Sequence, residues 1–396
     1  MAQKPCSYIV AAKRSPIGKY LGTISKLSAM EVGGQVATRL LAEAKADLAA
    51  IKEVFVGQVL QAGCGQNPAR QVALAAGIPD AISCTTVNKV CGSGLQAVMF
   101  ADVVIRAGDA DVVMAGGIES MSQAPFLVRN VRFGIKFGNA EFVDEMQYDG
   151  LTNVYSDEAM GALADYTAEK AGVTRQQQDE WSVRSQQRAA KATAAGVFAA
   201  EIVPIEVPKA KAPFAADETF RADTTLEALA GLKPAFGKTG TVTAGNASQL
   251  SDGAAMLLVA SEAGLKRFES SGVKPLARIV AQATAGAAPR DLFFTPPVAA
   301  KMVCEKAGWK LGDVDLWELN EAFASQTLAG LKALEIAPER VNVNGGAIAL
   351  GHPIGASGAR VLVTLVHAMK ARGAKRGVTA VCLGGGNAVA LAVEAV

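Results

Sequence analysis

Four residues in short segments of the chain have groups suited to nucleophilic and proton-transfer chemistry. Cys91 lies where a predicted strand gives way to a helix, His352 lies in a Gly/Pro loop, Asn320 follows an apolar strand, and Cys382 ends another strand just before Gly384. A helix N-terminus stabilises a thiolate, and an imidazole in a loop can move protons. Backbone N–H groups beside glycines can hold an anionic oxygen. Together these groups fit a reactive thiol with a proton-transfer partner.

Each of these residues also has an ordinary structural explanation. Cys91 fits a buried cysteine in a tight turn, and Cys382 fits a small core residue at a strand end. Asn320 fits a helix N-cap. Taken singly, these three stay open, whereas His352 favours function because loops on rigid scaffolds hold many catalytic groups.

The remaining histidines and cysteines exclude several other kinds of site. His367 is the only other histidine, and its apolar helical surroundings predict a packing or surface role. None of the six cysteines has CxxC spacing, so no zinc or other transition-metal site is expected. Free thiols are expected rather than disulfides. No GxGxxG follows the first strand, which argues against a Rossmann dehydrogenase.

Charge and hydropathy exclude two classes of partner. The 396 residues are 50% hydrophobic and 19% charged, with a net charge of +2. Lys and Arg are not clustered around aromatic residues, so no nucleic-acid partner is expected. The apolar runs are broken by Gly or charge before they reach a membrane span, and the N-terminus lacks the pattern of a signal peptide. We therefore expect a soluble cytoplasmic protein with no membrane partner.

Apolar runs alternate with helical periodicity in the first and last thirds of the chain. This alternation predicts an α/β fold around a buried, mainly parallel sheet. The predicted strands are 7–12, 53–60, 84–88, 110–117, 275–282, 315–320, 341–344, 378–386 and 388–395, and the predicted helices are 28–45, 67–77, 92–107, 158–172, 174–195, 296–308, 322–335 and 355–371.

The first and last thirds resemble each other in detail. Ser93-Gly94 opens a helix that leads to DVVMAGG, and Ser357-Gly358 opens a helix that leads to VTAVCLGGG, so two copies of one unit are predicted. The stretch between them reads as an insertion that carries substrate recognition. The predicted domains are 1–118 plus 251–272 (N-terminal half), 119–250 (inserted loop domain) and 273–396 (C-terminal half). The four chemical residues then collect at the C-terminal ends of strands, where sites of open α/β sheets gather.

The four segments closely resemble the motifs of the thiolase family, and the resemblance covers nearly the whole chain. The motifs are CxS at 91–93, NEAF at 320–323, GHP at 351–353 and CxG at 382–384, with supporting matches at 68–71, 115–122, 149–155, 243–248, 251–255 and 344–347. The stretches DGLTNVY and ARIVAQATAGAAPRDL lean toward the acetoacetyl-CoA thiolases. The resemblance implies a thiolase-like five-layered αβαβα sandwich of two repeated halves with an inserted loop domain.

The resemblance also implies a role for each chemical residue. Cys91 resembles the nucleophile that takes the acyl group, and His352 resembles the residue that activates this thiol and helps to bind the thioester oxygen. Cys382 resembles the acid/base that removes the α-proton of a second acetyl-CoA. Asn320 resembles the holder of a water in one oxyanion hole, and the N–H groups of Cys91 and Gly384 would form the other. The implied reaction joins two acetyl-CoA into acetoacetyl-CoA and CoA, or reverses this.

The same resemblance implies contacts to coenzyme A, which would be substrate and product, with no permanently bound cofactor. Arg221 resembles the contact to the nucleotide end of coenzyme A, and Ser248 the contact to the pantetheine arm. The tunnel would be lined by Leu151, Tyr155, Met160, Ala244, Ala247, Leu250, Ala322 and Phe323. Some relatives bind potassium near residues that match Tyr155, Ala244, Gly245, Ala247 and Ile348. The family further implies a homodimer or a homotetramer, with residues around 120–145 as a candidate tetramer loop.

Two departures from the family pattern leave the acyl chain open. Ala159 stands before Met160-Gly161, where the family often has His, and 292–294 reads Leu-Phe-Phe rather than Met-Gly or Phe-Pro. A longer-chain 3-ketoacyl-CoA thiolase of β-oxidation therefore remains the alternative, although the bulky 292–294 stretch favours a short acyl pocket. Cys382 argues against a decarboxylating ketosynthase. The presence of Cys91, His352 and Cys382 together argues against a non-catalytic CoA-binding protein.

Overall fold

The structure is a computed structural model that describes residues 6–269 and 272–396. Residues 1–5 and 270–271, which belong to the predicted N-terminal half, lie outside the described residues. The first helix shows why the sequence folds as it does, because Ser28 and Glu31 form a capping box at its start and its apolar face is buried. The first elements are β1 (Ser7–Arg14), β2 (Gly18–Lys19), α1 (Ala29–Glu43), β3 (Glu53–Gly57), α2 (Pro68–Ala75), β4 (Ser83–Val87), α3 (Ser93–Ala107) and β5 (Val112–Ser120).

The middle of the chain forms short hairpins, helices and long irregular stretches before it returns to the sheet. A π-helical turn at Met146–Gly150 interrupts it. Its elements are β6 (Phe126–Val128), β7 (Phe142–Asp144), β8 (Thr152–Asn153), β9 (Glu158–Ala159), α4 (Met160–Ala171), α5 (Arg175–Ala194) and α6 (Leu226–Ala230), and it is followed by β10 (Ser251–Ser261) and α7 (Glu262–Glu269).

The last third again alternates strands and helices. It begins with β11 (Ala277–Gly286) and ends with a hairpin whose turn contains Gly385 and Gly386, both at positive φ. Glycine adopts this conformation without the steric cost that a side chain would add. The other elements are α8 (Thr295–Ala307), β12 (Leu316–Leu319), α9 (Ala324–Leu334), α10 (Ala347–Leu350), α11 (Ile354–Arg372), β13 (Arg376–Leu383) and β14 (Asn387–Glu394).

The strands pair in the order β12-β13-β14-β11-β1-β10-β5-β3-β4, and β2 is added to β10. Three of these pairs are parallel, namely β12 with β13, β3 with β4 and β3 with β5. The five pairs in the middle of the order are antiparallel. The expectation of a mainly parallel sheet is therefore wrong. The reason is that a strand buried on both faces is apolar throughout, whichever direction its neighbour runs.

The helices and strands form five layers, as the resemblance implies. The helices α3 and α11 pack against each other in the middle layer, between the β4-β3-β5-β10-β1 part of the sheet and the β11-β14-β13-β12 part. The outer face of the first part is covered by α1 and α2, and that of the second by α8 and α9. Three separate buried clusters fill the spaces between these layers.

Two sequence expectations need correction in detail. The predicted strand at 341–344 is absent, because only Val341 forms an isolated bridge, to Trp317, before the chain turns. Among the described residues, Val90–Ala107 has the length and mean hydropathy of a membrane span, contrary to the expectation that no apolar run is long enough. This segment contains α3, which is a core helix of the middle layer. Its apolar composition is explained by that position.

Candidate active site

Cys91 lies in a tight turn between β4 and α3 that two side chains hold in place. Ser93 Oγ accepts the N–H of Lys89 at 2.8 Å and donates to the carbonyl of Val90 at 2.6 Å, while Asn88 Oδ1 accepts the N–H of Val90 at 3.0 Å. Val90 has a φ of 46°, which is strained for a β-branched residue. The surrounding bonds therefore impose this backbone conformation and turn Cys91 toward the interior.

His352 lies in the loop between α10 and α11, where hydrogen bonds define its orientation. Its Nδ1 is 2.6 Å from Ser357 Oγ, and that hydroxyl donates to the carbonyl of Pro353 at 2.9 Å. Because the serine hydroxyl donates to Pro353, this arrangement favours the tautomer in which Nδ1 carries the proton and donates it to Ser357, while Nε2 keeps its lone pair. Nε2 is 3.4 Å from Nδ2 of Asn320. The bonds thus select one tautomer, whose Nε2 can accept a proton.

Asn320 does not cap a helix. The N-cap of α9 is Phe323, and Asn320 lies directly after β12 with its backbone N–H donated to Ala380. Its side chain is 1% exposed and reaches His352 instead. The capping explanation that the sequence left open is therefore excluded.

Cys382 lies near the end of β13 and is 2% exposed. The hairpin turn begins just after it, and the N–H of Gly384 is directed toward the Cys91 sulfur together with the N–H of Cys91 itself. Cys382 is close enough to Cys91 for their charges to interact. The two cysteines predicted at strand ends are thus brought to the same place.

A cavity of about 320 Å³ joins these groups. Two apolar clusters form its walls, one around Cys91 and the other around Cys382. The lining includes Cys91, His352, Cys382 and Gly384, together with the predicted substrate contacts Leu151, Met160, Ala247, Ser248, Leu250, Ala322 and Phe323. Asn320 lies behind His352 and is not part of the lining.

Burial dominates the electrostatics of the cavity. It raises the pKa of the Cys91 thiol to about 12, although the N–H groups of Cys91 and Gly384 favour the thiolate. Burial, and then the nearby Cys91, raises the pKa of Cys382. Burial, and then the charge of Arg360, lowers the pKa of His352 to about 3. Both thiols and the imidazole are therefore neutral at neutral pH in the substrate-free site, so the expected lowering of the Cys91 pKa at a helix N-terminus is wrong here.

Three of the predicted substrate contacts do not line the cavity. Tyr155 is 71% exposed beside Gly385, Arg221 is exposed with its backbone N–H bound to Gln186, and Ala244 is exposed as well. All three residues lie on loops at the protein surface. A motif match in the sequence does not reveal whether a residue is exposed. Tyr155 and Ala244 therefore do not line this cavity, and their contact with substrate stays a prediction.

The residues named for potassium differ in their surroundings. Ile348 is buried in α10, and its carbonyl accepts Nε2 of Gln186 at 3.3 Å. Ala247 forms an isolated bridge with Phe323 next to the cavity. Gly245 lies against Leu229 and Leu232. None of these contacts tests potassium binding, so the potassium site stays a prediction.

The structure adds cavity residues that the sequence did not single out. Some of them come from the π-helical turn and its flanks, and others come from separate loops. Their positions in the sequence therefore follow no regular spacing. They are Met121, Asp144, Met146, Gln147, Gly150, Phe236, Gln249 and Ile354. Leu292 and Phe293 also line the cavity, as expected for an acyl pocket, whereas Phe294 contacts Lys170 at the surface.

A buried carboxylate supports the turn that follows Asn320. Glu321 accepts hydrogen bonds from Trp181 Nε1 at 3.1 Å, Ser185 Oγ at 2.7 Å, Asn342 Nδ2 at 2.8 Å and the N–H of Ile348 at 3.3 Å. Four donors satisfy a carboxylate that burial would otherwise make costly. This network fixes the chain between β12 and α9.

Known proteins resemble this chain along nearly its whole length. The chain is 50% identical over 389 residues to an acetyl-CoA acetyltransferase of Chromobacterium violaceum, with 98% of each sequence covered. Two crystal structures, of human mitochondrial 3-ketoacyl-CoA thiolase and of the Bacillus anthracis acetyl-CoA acetyltransferase, each superimpose with a TM-score of 0.96 at 41% identity and cover 100% of both chains.

The family comparison covers both halves of the fold. Residues 7–263 match the thiolase N-terminal domain, and residues 273–395 match the thiolase C-terminal domain. The first range contains Cys91, and the second contains Asn320, His352 and Cys382. The chain therefore belongs to the thiolase family.

Proposed function

We propose that this chain is an acetyl-CoA acetyltransferase. It joins two acetyl-CoA into acetoacetyl-CoA and CoA, or runs the reverse thiolysis, through an acetyl group on Cys91. One observation carries the proposal: two thiols and an imidazole of defined tautomer face one apolar cavity, with two backbone N–H groups directed at the Cys91 sulfur. The relatives named acetyl-CoA acetyltransferase support the same activity.

In the first half-reaction, Cys91 attacks the thioester carbon of acetyl-CoA. His352 Nε2 takes the thiol proton as the new carbon–sulfur bond forms, since this nitrogen carries a lone pair and both groups start neutral. The bond from the carbonyl carbon to the coenzyme A sulfur then breaks, and the proton passes from His352 to that sulfur. Splitting the reaction at a thioester intermediate divides one difficult step into two easier ones.

In the second half-reaction, Cys382 acts as the base for a second acetyl-CoA. Cys382 first gives its thiol proton to His352 Nε2, and the resulting thiolate takes the α-proton, so that the enolate carbon attacks the acetyl carbon on Cys91. The bond from that carbon to the Cys91 sulfur breaks, which releases acetoacetyl-CoA and leaves the Cys91 thiolate to take the proton from His352, while Cys382 keeps the α-proton. The proximity of Cys382 to Cys91 supports this role.

Two groups of donors stabilise the oxyanions of these steps. The N–H groups of Cys91 and Gly384 serve the acyl group on Cys91, because they already point at its sulfur. His352 and a water held by Asn320 serve the thioester oxygen of the second acetyl-CoA. Asn320 Nδ2 approaches His352 Nε2 to 3.4 Å from behind the cavity lining, which supports this pairing.

The pantetheine arm of coenzyme A is proposed to follow the wall formed by Leu151, Met160, Ala247, Ser248 and Leu250, which all line the cavity. The exposed position of Arg221 fits a contact to the nucleotide end, outside the cavity. Coenzyme A is then substrate and product, and no permanently bound cofactor takes part.

Aromatic rings at one end of the cavity support a short acyl group. Phe293 and Phe236 each pack edge-on against Phe323, with ring centroids 5.4 Å and 6.2 Å apart, and all three line the cavity. A longer 3-ketoacyl chain would have to displace these rings. The similarity to a 3-ketoacyl-CoA thiolase keeps longer-chain thiolysis as the second candidate.

The test is thiolysis of acetoacetyl-CoA by CoA, run beside a longer 3-ketoacyl-CoA. We expect turnover of acetoacetyl-CoA, with a loss of about 10⁴-fold or more in Cys91→Ala, as for removal of other catalytic nucleophiles. Preference for the longer substrate would favour the second candidate. Turnover of neither substrate by the wild-type protein would refute both.

We also propose the domain division 1–118 plus 251–272, 119–250 and 273–396, together with self-association into a dimer or a tetramer. The hairpin β6–β7 and its connection support association, because Phe126, Phe133, Phe137 and Phe142 are each at least 63% exposed. Large exposed apolar groups commonly mark interfaces. Light scattering of the wild-type protein beside a Phe133→Ser/Phe137→Ser variant tests this assembly.

A further inference from the structure

Glu119 is a buried carboxylate of β5 to which the mechanism above gives no part. It is 1% exposed. Its Oε2 accepts the N–H of Gly355 at 2.9 Å and that of Val59 at 3.1 Å, and its Oε1 accepts the N–H of Leu60 at 3.3 Å. Gly355 belongs to the first turn of α11, and the other two residues follow β3. One carboxylate therefore joins backbone from both halves of the fold.

These backbone groups lie directly behind the cavity. Ile354 and Met121 line the cavity and pack in the cluster that contacts Cys91. Gly355 follows Ile354 along the chain, and His352 lies three residues before Gly355. A shift of this turn would move a cavity wall and the imidazole together.

The first turn of α11 depends on this carboxylate. N–H groups in the first turn of a helix have no partner within the helix, and burying one without a partner costs stability. Gly355 is also packed tightly, since a side chain there would lie 2.7 Å from the carbonyl of Ile118 and 2.8 Å from Glu119 Oε2. The close packing around Glu119 therefore requires glycine at position 355.

We propose that Glu119 is a positioning residue for the thiolase reaction, whose carboxylate fixes the first turn of α11 and hence the place of His352 relative to the Cys91 sulfur. The inference rests on the proposed function, because His352 and Cys91 are its reacting pair. Glu119 itself touches no substrate; it acts through the loop that ends at Gly355.

The negative charge of Glu119 disfavours the Cys91 thiolate, whereas the positioning of His352 by Glu119 favours catalysis. Burial is the main cause of the high pKa of the Cys91 thiol, and the carboxylate of Glu119 raises it further. Glu145 is the other carboxylate whose charge acts on Glu119. A neutral residue of the same shape at 119 should therefore ease formation of the Cys91 thiolate while it loosens the turn.

Glu119→Gln separates the two effects, because it keeps the shape and removes the charge and part of the hydrogen bonding. We expect kcat for acetoacetyl-CoA thiolysis to fall ~10- to 100-fold, as for a small misplacement of catalytic groups, with KM for CoA nearly unchanged. Burial raises the pKa of Glu119 to about 8, so the wild-type carboxyl is ionised at about pH 9.5. At that pH, alkylation of Cys91 by iodoacetamide should be at least as fast in Glu119→Gln as in the wild type. Asp315→Asn is the control for loss of a carboxylate that accepts backbone N–H groups, since the exposed Asp315 accepts those of Lys375 and Arg376 and does not line the cavity. Its kcat should not change.

A kcat of Glu119→Gln within about twofold of wild type would overturn the inference, since misplaced catalytic groups cost far more. Parallel losses of kcat, Cys91 alkylation and thermal stability would overturn it as well, because they indicate a purely structural role. If Glu119→Gln does not fold, Glu119→Asp tests the same point, because it retains the charge but draws the carboxylate back from the backbone N–H groups. Its kcat should fall, while the pH dependence of Cys91 alkylation should stay as in the wild type. Wild-type turnover in the same assay separates failure of this inference from failure of the proposed function.

Discussion

The tautomer of His352 depends on one hydroxyl, so Ser357→Ala should impair the enzyme without removing a reacting group. The 2.6 Å contact with Ser357 Oγ is the only hydrogen bond of His352 Nδ1 among the described residues, and His352 is 6% exposed. Without it, a buried N–H loses its partner, which costs about 1–3 kcal/mol. The imidazole can then turn or change tautomer, which places a proton on Nε2 where the mechanism needs a lone pair.

The expected effect follows from that energy. If this loss of about 1–3 kcal/mol is added to the activation free energy, kcat falls by roughly 5- to 150-fold. KM for CoA should change little, because Ser357 does not line the cavity. Initial rates of acetoacetyl-CoA thiolysis, together with thermal unfolding of the same samples, measure both quantities.

Ser182→Ala is the matched control for Ser357→Ala. Ser182 is a fully buried serine in α5 that donates to the carbonyl four residues earlier, Gln178, at 2.8 Å, just as Ser357 donates to Pro353. The Ser182→Ala substitution removes the same type of serine-to-carbonyl hydrogen bond without affecting the His352 imidazole. Equal losses of kcat in both variants, or a near-normal rate in Ser357→Ala, would show that the tautomer argument is wrong.

Three further predictions follow from the cavity. Cys382→Ser should still take one acetyl group on Cys91, measured by mass spectrometry, while condensation falls ~100-fold or more, because a hydroxyl is a poor proton carrier here. Phe293→Ala should raise kcat/KM for a longer 3-ketoacyl-CoA relative to acetoacetyl-CoA by ~10-fold, with a stability loss of about 3–5 kcal/mol, and an unchanged ratio would exclude Phe293 as the end of the acyl pocket. With its pKa raised to about 12, Cys91 should be alkylated ~10-fold faster per pH unit between pH 7 and 10 without reaching a plateau, and a plateau below pH 9 would contradict the burial effect.

The sequence located the chemical groups well because each lies at the end of an element that periodicity predicts. Cys91, Asn320 and Cys382 were expected at strand ends, and the structure brings them to one cavity with His352 or directly behind it. Strand direction was not predictable, since buried parallel and antiparallel strands have the same apolar pattern. The missing strand at 341–344 shows a similar limit: its short apolar alternation serves a turn whose Asn342 side chain pairs with Leu319.

The ionisation of the site and its supporting residues could not be obtained from sequence. A helix N-terminus predicts a lowered thiol pKa, but desolvation of Cys91 outweighs it, and desolvation depends on the packing of distant segments. Phe236 and Met146 reach the cavity from loops with no periodic pattern. The hydrogen bonds of Glu119 join residues that are 59 to 236 positions apart, so no local signal reveals them.

The middle layer makes the two repeated halves dependent on each other for folding. A side chain at Gly94 of α3 would lie 2.8 Å from the backbone nitrogen of Ala359 and 3.0 Å from the carbonyl of Gly355, so the two helices touch through their backbones. Each half thus lacks one side of its own hydrophobic core until the other half is in place. A fragment that ends near residue 270 would expose the inner face of α3 and hold a thiol without its histidine. Unfolding should therefore be a single cooperative transition, in which structure and catalytic competence are lost together.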